Sequence, residues 1–302
     1  MRRRFFITDN PGAGYRSHRL VDTVVAHLQA HGATVTRAPS GSETEAQAAI
    51  AKVANSGNFD AIIVAGGDGT VRMAAKAALG SGTPIGVIPL GTGNVLAYEM
   101  SLPREAEPIA ELLLHGPKVL INAARANGEL FLLMAGVGFD GRVIGALDHD
   151  IKRRFGKLAY VMPTLRALAH GPDQLRITLD GHMEHRATWA VIANASRYGG
   201  RFRLAPQARL QAPELVAVLF HGRSRLHRVA QLVALVFNQI DGRLTLPGGE
   251  VTKHPCRAVA ITSPQALPVQ LDGDPFGETP LHIEVAGAVV PLIQPQSSSM
   301  KD

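Results

Sequence analysis

The sequence predicts an α/β protein in two parts. An N-terminal domain has a parallel sheet with helices on both faces, and a β-rich, mostly antiparallel C-terminal domain follows. Three observations carry this. Short apolar runs alternate with helical patterns over the first 115 residues, the order that builds a parallel sheet. After Pro117 the spacing shifts to strands joined by two-residue turns, Asn127-Gly128 and Asp180-Gly181. Small-residue loops sit where buried strands turn into helices, at Gly66-Gly67-Asp68-Gly69 and Gly91-Thr92-Gly93.

In the first part, strands are predicted at 4–8, 33–37, 60–65 and 85–88. Helices are predicted at 17–31, 70–79, 94–100 and 105–115. Another helix opens on a capping box, Ser42 with Glu45. In the second part, strands are predicted at 118–126, 129–135, 175–179, 183–194, 215–220, 243–246, 258–262 and 269–271, with helices at 155–169 and 225–240. The domains are therefore 1–117 and 118–287. The polar tail 296–302 reads as disordered.

The chain has 302 residues, 46% of them hydrophobic, enough for two cores. Lys and Arg (31) outnumber Asp and Glu (25), which favours polyanionic partners: nucleotides, nucleic acid or an anionic membrane. Aromatics at 5% argue against a base-stacking nucleic-acid binder. Cys256 is the single cysteine, so no intrachain disulfide forms and a reducing cytoplasm fits. The basic start reads as a first strand and not as a signal peptide.

The glycine loops suggest phosphate chemistry. Backbone without Cβ atoms approaches phosphate closely, and a helix N-terminus offers free N–H groups and a positive dipole end. Asp68 beside a phosphate makes sense when Mg²⁺ accompanies the nucleotide. Pro89-Leu90-Gly91-Thr92-Gly93-Asn94 and Asn10-Pro11-Gly12-Ala13-Gly14 open on the same side, at strand carboxyl ends. There is no G-x-x-x-x-G-K-[ST] motif. Gly136-Val137-Gly138-Phe139-Asp140-Gly141 matches G-x-G-x-x-G but lacks the acidic residue about twenty positions on that a dinucleotide site needs.

Asn10-Pro11-x-x-Gly14, Gly66 to Thr70, Pro89 to Asn94, Gly136 to Asp140 and Leu271-Asp272-Gly273-Asp274-Pro275 follow one another in an order and spacing that resembles the diacylglycerol kinase catalytic superfamily. That superfamily includes bacterial lipid kinases, sphingosine and ceramide kinases and, more distantly, NAD kinases. The resemblance covers nearly the whole chain, and it implies that 288–302 returns to the first domain, 1–117. It implies ATP and Mg²⁺ at the N-terminal domain, a lipid site in the β-rich domain, and transfer of the γ-phosphate to a lipid hydroxyl. It implies nucleotide contacts at Asn10, Ser40, Gly66, Gly67, Asp68, Gly69, Thr70, Val71, Arg72, Gly91, Thr92 and Asn94, with Asp68 near the metal. It implies Asp272 as general base, with Asp274 where the family has a glutamate. Ala212-Pro213 stands where bacterial relatives carry an Asp-Gly pair that helps hold a structural Mg²⁺, so that metal site is not expected. The resemblance also implies a cytoplasmic enzyme drawn peripherally to the membrane. Two alternatives remain open: a soluble-metabolite kinase of NAD kinase type, and a lipid-binding relative that has lost catalysis.

His182-Met183-Glu184-His185 reads as solvated residues on opposite faces of a strand. Lys152, Arg153, Arg154 and Lys157, and Arg223, Arg225 and Arg228, read equally as solvated faces or as contacts to anionic headgroups.

Overall fold

The computed structural model describes residues 1–9, 15–38, 41–148, 151, 154–240 and 246–296. Asn10, Ser40, Lys152 and Arg153 lie outside the described residues, as do nearly all of the predicted strand 243–246 and of the tail. The chain forms two compact units, Met1–Ile121 with Ala288–Asp302, and Asn122–Gly287.

The first unit runs β1 (Arg4–Asp9), α1 (Tyr15–Ala30), β2 (Thr34–Arg37), α2 (Glu43–Ala54), β3 (Ala61–Gly66), α3 (Asp68–Ala77), β4 (Ile85–Pro89), α4 (Val95–Glu99) and α5 (Ala106–His115). The strands lie in the order β2-β1-β3-β4, all parallel. The last strand of the chain, β18 (Leu281–Ile293), ends here, with Leu292 beside Ile85. Every residue of β3 is buried, as expected where helices cover both faces of a parallel strand. α1 packs on α5 and α2 on α3. Ser42 and Glu45 make the reciprocal capping box: Ser42 Oγ accepts the Glu45 N–H, and the Glu45 carboxylate accepts the Ser42 N–H.

The second unit is built on antiparallel strands. One sheet has the order β14 (Val251–Cys256), β13 (Leu215–Phe220), β10 (Trp189–Ala193), β7 (Met134–Val137), β16 (Pro268–Leu271), β17 (Asp274–Glu278). Another runs from the first half of β18 through β15 (Ala258–Thr262) and β8 (Leu175–Leu179) to β9 (Met183–Ala187). β5 (Lys118–Ala126) pairs with β6 (Glu129–Phe131) across the Asn127-Gly128 turn, where both residues have positive φ, 45° and 85°. Phe131, Ile177, Ile192, Leu219, Ile261 and Ile283 fill the core shared by the two sheets. The unit's helices include, in chain order, α6 (Phe139–Gly145), α7 (Val161–Ala169, after a 3-10 turn at Gly156–Tyr160) and α8 (Arg225–Val236).

Two single strands predicted from the sequence are each divided. Residues 129–135 form β6 and β7, because the chain breaks pairing at Leu132 and Leu133 and changes sheets. Residues 183–194 form β9 and β10, parted at Thr188, whose N–H and hydroxyl both bond the Phe220 carbonyl. β14 and β17 were not predicted. Each carries a proline, Pro255 or Pro275, and each is an edge of the six-stranded sheet, the position where a missing N–H is tolerated.

Candidate active site

In the first unit, β3 and β4 are paired through Gly66 and Pro89, so the two glycine loops leave the sheet at one level. Leu90 N–H bonds the Gly66 carbonyl at 3.0 Å. The loops then touch backbone to backbone. A Cβ on Gly91 would lie 2.7 Å from the Gly67 Cα, and a Cβ on Gly67 would lie 3.3 Å from the Gly91 Cα. A Cβ on Gly66 would meet the Thr70 side chain at 2.5 Å. Both glycine runs are therefore needed for close packing, whatever binds beside them.

Asp68 joins the loops. Its Oδ2 accepts the Val95 N–H at 2.9 Å and its Oδ1 the Leu96 N–H at 3.0 Å, so it caps α4, the helix that follows the second loop. Asn94 enters that helix from the left-handed region at φ 46°, a conformation asparagine tolerates. At the start of α3 the N-cap is Gly67, so no N-cap side chain stands at the positive end of this ten-residue helix. Gly69, Thr70 and Arg72 are partly exposed around it, as are Thr92 and Asn94. Val71 is 2% exposed and its N–H bonds the Gly67 carbonyl at 3.1 Å, so its side chain belongs to the core and its backbone donor is already used.

In the second unit, Asp272-Gly273 forms the tight turn between β16 and β17, with φ of 51° and 89°. The Asp272 side chain points inward. Its Oδ2 accepts the Leu132 N–H at 2.8 Å, and its Oδ1 accepts those of Leu133 at 2.8 Å and Met134 at 3.0 Å. These are the N–H groups freed where 129–135 divides, so this carboxylate completes the crossover. Asp272 N–H also bonds the Met134 carbonyl. Asp274 opens β17 and is partly exposed.

Behind this turn lies a polar network that the sequence reading missed. Gln270 Nε2 donates to Asp140 Oδ2 at 2.7 Å, and Gln270 Oε1 accepts the Gly273 N–H at 2.7 Å. Tyr198 donates its hydroxyl to Asp140 Oδ1. Burial pushes the Asp140 carboxyl above its ordinary range, against the pull of those two donors, and burial beside Asp140 raises Tyr198 well above the usual phenol value. The glycines of the Gly136 to Gly141 motif serve packing here. A Cβ on Gly136 would strike Asp140 at 1.7 Å, and one on Gly141 the Pro268 carbonyl at 2.0 Å. The motif's aspartate was a usable signal for the network, whereas Tyr198 stands in no motif.

Two surface readings are corrected. His185 is not solvated: its ring packs 4.3 Å from that of His254, and the Nε2 atoms of both are buried without a hydrogen-bond partner. His182 is exposed, as expected. Arg228 is 3% exposed and donates to backbone carbonyls, so it is not a headgroup contact. Among the described residues there is no cluster of three His, Cys, Asp or Glu able to hold a metal, and no helix long and apolar enough to cross a membrane.

A parallel sheet whose glycine loops meet at its carboxyl edge, followed by an antiparallel β unit with an aspartate-bearing turn, supplies parts that a kinase-type phosphotransferase uses. Residues 4–126 match the diacylglycerol kinase catalytic domain, and residues 134–294 match the YegS C-terminal NAD kinase beta sandwich-like domain. The chain belongs to this family of diacylglycerol kinase-like lipid kinases. It is 28% identical over 297 residues to a diacylglycerol kinase of Mycobacterium tuberculosis, covering 95% of this chain and 94% of that protein. It is 26% identical over 238 residues to a "Probable lipid kinase YegS-like" protein of Klebsiella pneumoniae, with 77% of each chain covered. The crystal structure of a diacylglycerol kinase from Bacillus anthracis shares the fold at a TM-score of 0.70 and 19% identity, covering 97% of both chains.

Proposed function

We propose that the protein transfers the γ-phosphate of Mg-ATP to the hydroxyl of a diacylglycerol-like lipid alcohol. The observation that carries this reading is the backbone contact of the Gly67 and Gly91 loops beside the start of α3, whose N-cap is a glycine. Such a cradle of N–H groups and small residues suits the polyphosphate of a nucleotide. Gly66 to Thr70 and Arg72, with Gly91, Thr92 and Asn94, would bind it, with Val71 packed behind them in the core. Mg²⁺ arriving with the phosphates would neutralise the charge on them and keep much of its water. Asp68, whose oxygens already cap α4, suits a contact to that hydrated ion better than direct ligation.

In the reaction, the lipid oxygen bonds to the γ-phosphorus as its O–H bond breaks, the proton passes to the base, and the P–O bond to ADP breaks. Asp272 is the proposed base, and Asp274 orients its neighbour or the incoming hydroxyl. The enzyme would work in the cytoplasm on a lipid presented at the inner face of the membrane.

The test is phosphate transfer from radiolabelled ATP to a panel of detergent-dispersed lipid alcohols, with NAD as a parallel acceptor. Label in a lipid phosphate that requires Mg²⁺ is expected. Label in NADP alone would move the assignment to the soluble-metabolite reading. ATP binding without transfer to any lipid would favour a relative that has lost catalysis.

A further inference from the structure

The apolar surface of the second unit is unevenly distributed. Sixteen large apolar residues are exposed among the described residues, and eleven of them fall in 151–165 and 226–237. These segments are α7, with the turn before it, and α8. Scattered exposed apolar side chains are ordinary, but a concentration on two adjoining helices is not.

Each helix has one anchored face. Pro163 and Ala167 are buried on α7, and Arg228, Gln231, Ala234 and Leu235 on α8. Gln231 bonds the Trp189 indole and the carbonyls of His221 and Gly249. Arg228 reaches to α7 and donates to the carbonyls of Ala167, His170 and Gly171 at 3.3–3.4 Å. A cation is thereby placed at the negative end of the α7 dipole, and the two helices are tied together.

The opposite faces are bare. On α7 and the 3-10 turn before it they carry Val161, Met162 and Leu165, and Leu158, with Leu158 72% exposed. On α8 they carry Leu226, Val229, Val233, Val236 and Phe237, with Leu226 71% exposed. These spacings of three and four put each set on one helical stripe. Arg154, Arg166, Arg223 and Arg225 are exposed beside the stripes, and neither 154–169 nor 223–237 contains an Asp or Glu. Apolar stripes whose own segments carry arginines and no acidic residue suit a bilayer interface, with apolar side chains among the acyl chains and arginines at the phosphates. A second copy fits less well. In an isologous contact the arginines of one copy would face those of the other with no carboxylate to pair with.

We propose that α7 and α8 form the surface by which this protein docks onto an anionic lipid bilayer. This deepens the lipid kinase reading, because it brings the enzyme to where its acceptor resides. Binding is measured without ATP or turnover, so the two can fail separately.

The experiment uses the full chain and sedimentation with vesicles of phosphatidylcholine, with and without roughly 30% phosphatidylglycerol. Binding to the anionic vesicles is expected, weakening as NaCl rises from about 0.1 to about 0.5 M. The double variants Leu158→Glu with Leu165→Glu, and Arg223→Glu with Arg225→Glu, should each cost about tenfold or more in partition. Both pairs are exposed, so unfolding midpoints and transfer to detergent-dispersed lipid should stay near those of the parent. Absence of binding to any vesicle, or variants that bind like the parent, would overturn the proposal. So would light scattering that shows a dimer broken by the leucine pair while vesicle binding persists, for the face would then join two copies.

Discussion

Asp272 shows how far a single residue can be read. Its place in Leu271-Asp272-Gly273-Asp274 marks a turn and a candidate base, and both are legible in the sequence. Its three bonds to Leu132, Leu133 and Met134 are not, because they join positions about 140 residues apart that share no pattern. They give the residue a structural duty beside the chemical one proposed for it. An asparagine there would turn an NH₂ group toward backbone N–H donors, leaving at least one buried donor unpaired. Asp272→Asn should therefore lower stability by about 1–3 kcal/mol as well as cutting turnover by roughly a hundredfold or more. Asp274→Asn, at a partly exposed position, should leave the unfolding midpoint unchanged. Urea unfolding and single-turnover transfer measured on both variants separate the two duties. If Asp272→Asn folds at parental stability and turns over normally, Asp272 is neither clasp nor base. Cys256 is simpler. Burial pushes its thiol up to about 12, so iodoacetamide near neutral pH should label it only after unfolding.

At the scale of elements, the parallel half was the most legible, because its strands are buried on both faces and its helices are closed by recognisable caps and glycines. The antiparallel half was less so. Where β6 passes into β7, and β9 into β10, apolar residues run on while the chain changes sheets, and an apolar run carries no mark of that change. The same limit applies to the glycine loops. Their position at strand ends was readable, but not that Gly91 presses on Gly67 or that Asp68 caps α4. From that contact, Gly91→Ala must part the two loops, with an expected loss of about 1–3 kcal/mol and weaker nucleotide binding. Gly93→Ala is the control. Its added methyl would meet only Asp68 Oδ2 at 3.7 Å, an ordinary contact, so the fold should hold within about 0.5 kcal/mol. Denaturation and Mg-ATP titration on the pair check this. Equal stability for the two variants would refute the loop contact. A stable Gly93→Ala with weakened Mg-ATP binding would locate the phosphates at the second loop.

For the whole molecule, composition announced a basic chain but not how its stability answers to pH, which depends on groups that the fold buries together. His254 and His221 are held below the ordinary imidazole value, chiefly by burial and then by repulsion among His185, His221 and His254, while Glu250 pulls His221 the other way. Strands β9 and β14 and the residue that follows β13 bring these histidines together, and no spacing in the sequence does so. A depressed imidazole pKa means that the unfolded chain takes up protons first. The stability attached to these histidines is therefore complete above the unfolded value, about 6.5, and is lost as pH falls from there toward the folded values. Asp140 runs the opposite way. Its raised pKa means that stability is lost as pH climbs through the ordinary carboxylate range up to its folded value. Glu250 and Asp60, both lowered, lose their contributions only below the ordinary carboxylate range. Between about pH 7.5 and 5.5 the histidines are the side chains that change charge in the unfolded chain, beside the α-amino group, so the urea midpoint should fall over that interval. His254→Phe keeps a ring against His185 but cannot take up a proton, and its midpoint should fall less steeply over the same interval. A parental midpoint that is flat or rises toward pH 5.5, or a variant that tracks the parent throughout, would show that the packed histidines do not set the acid limb.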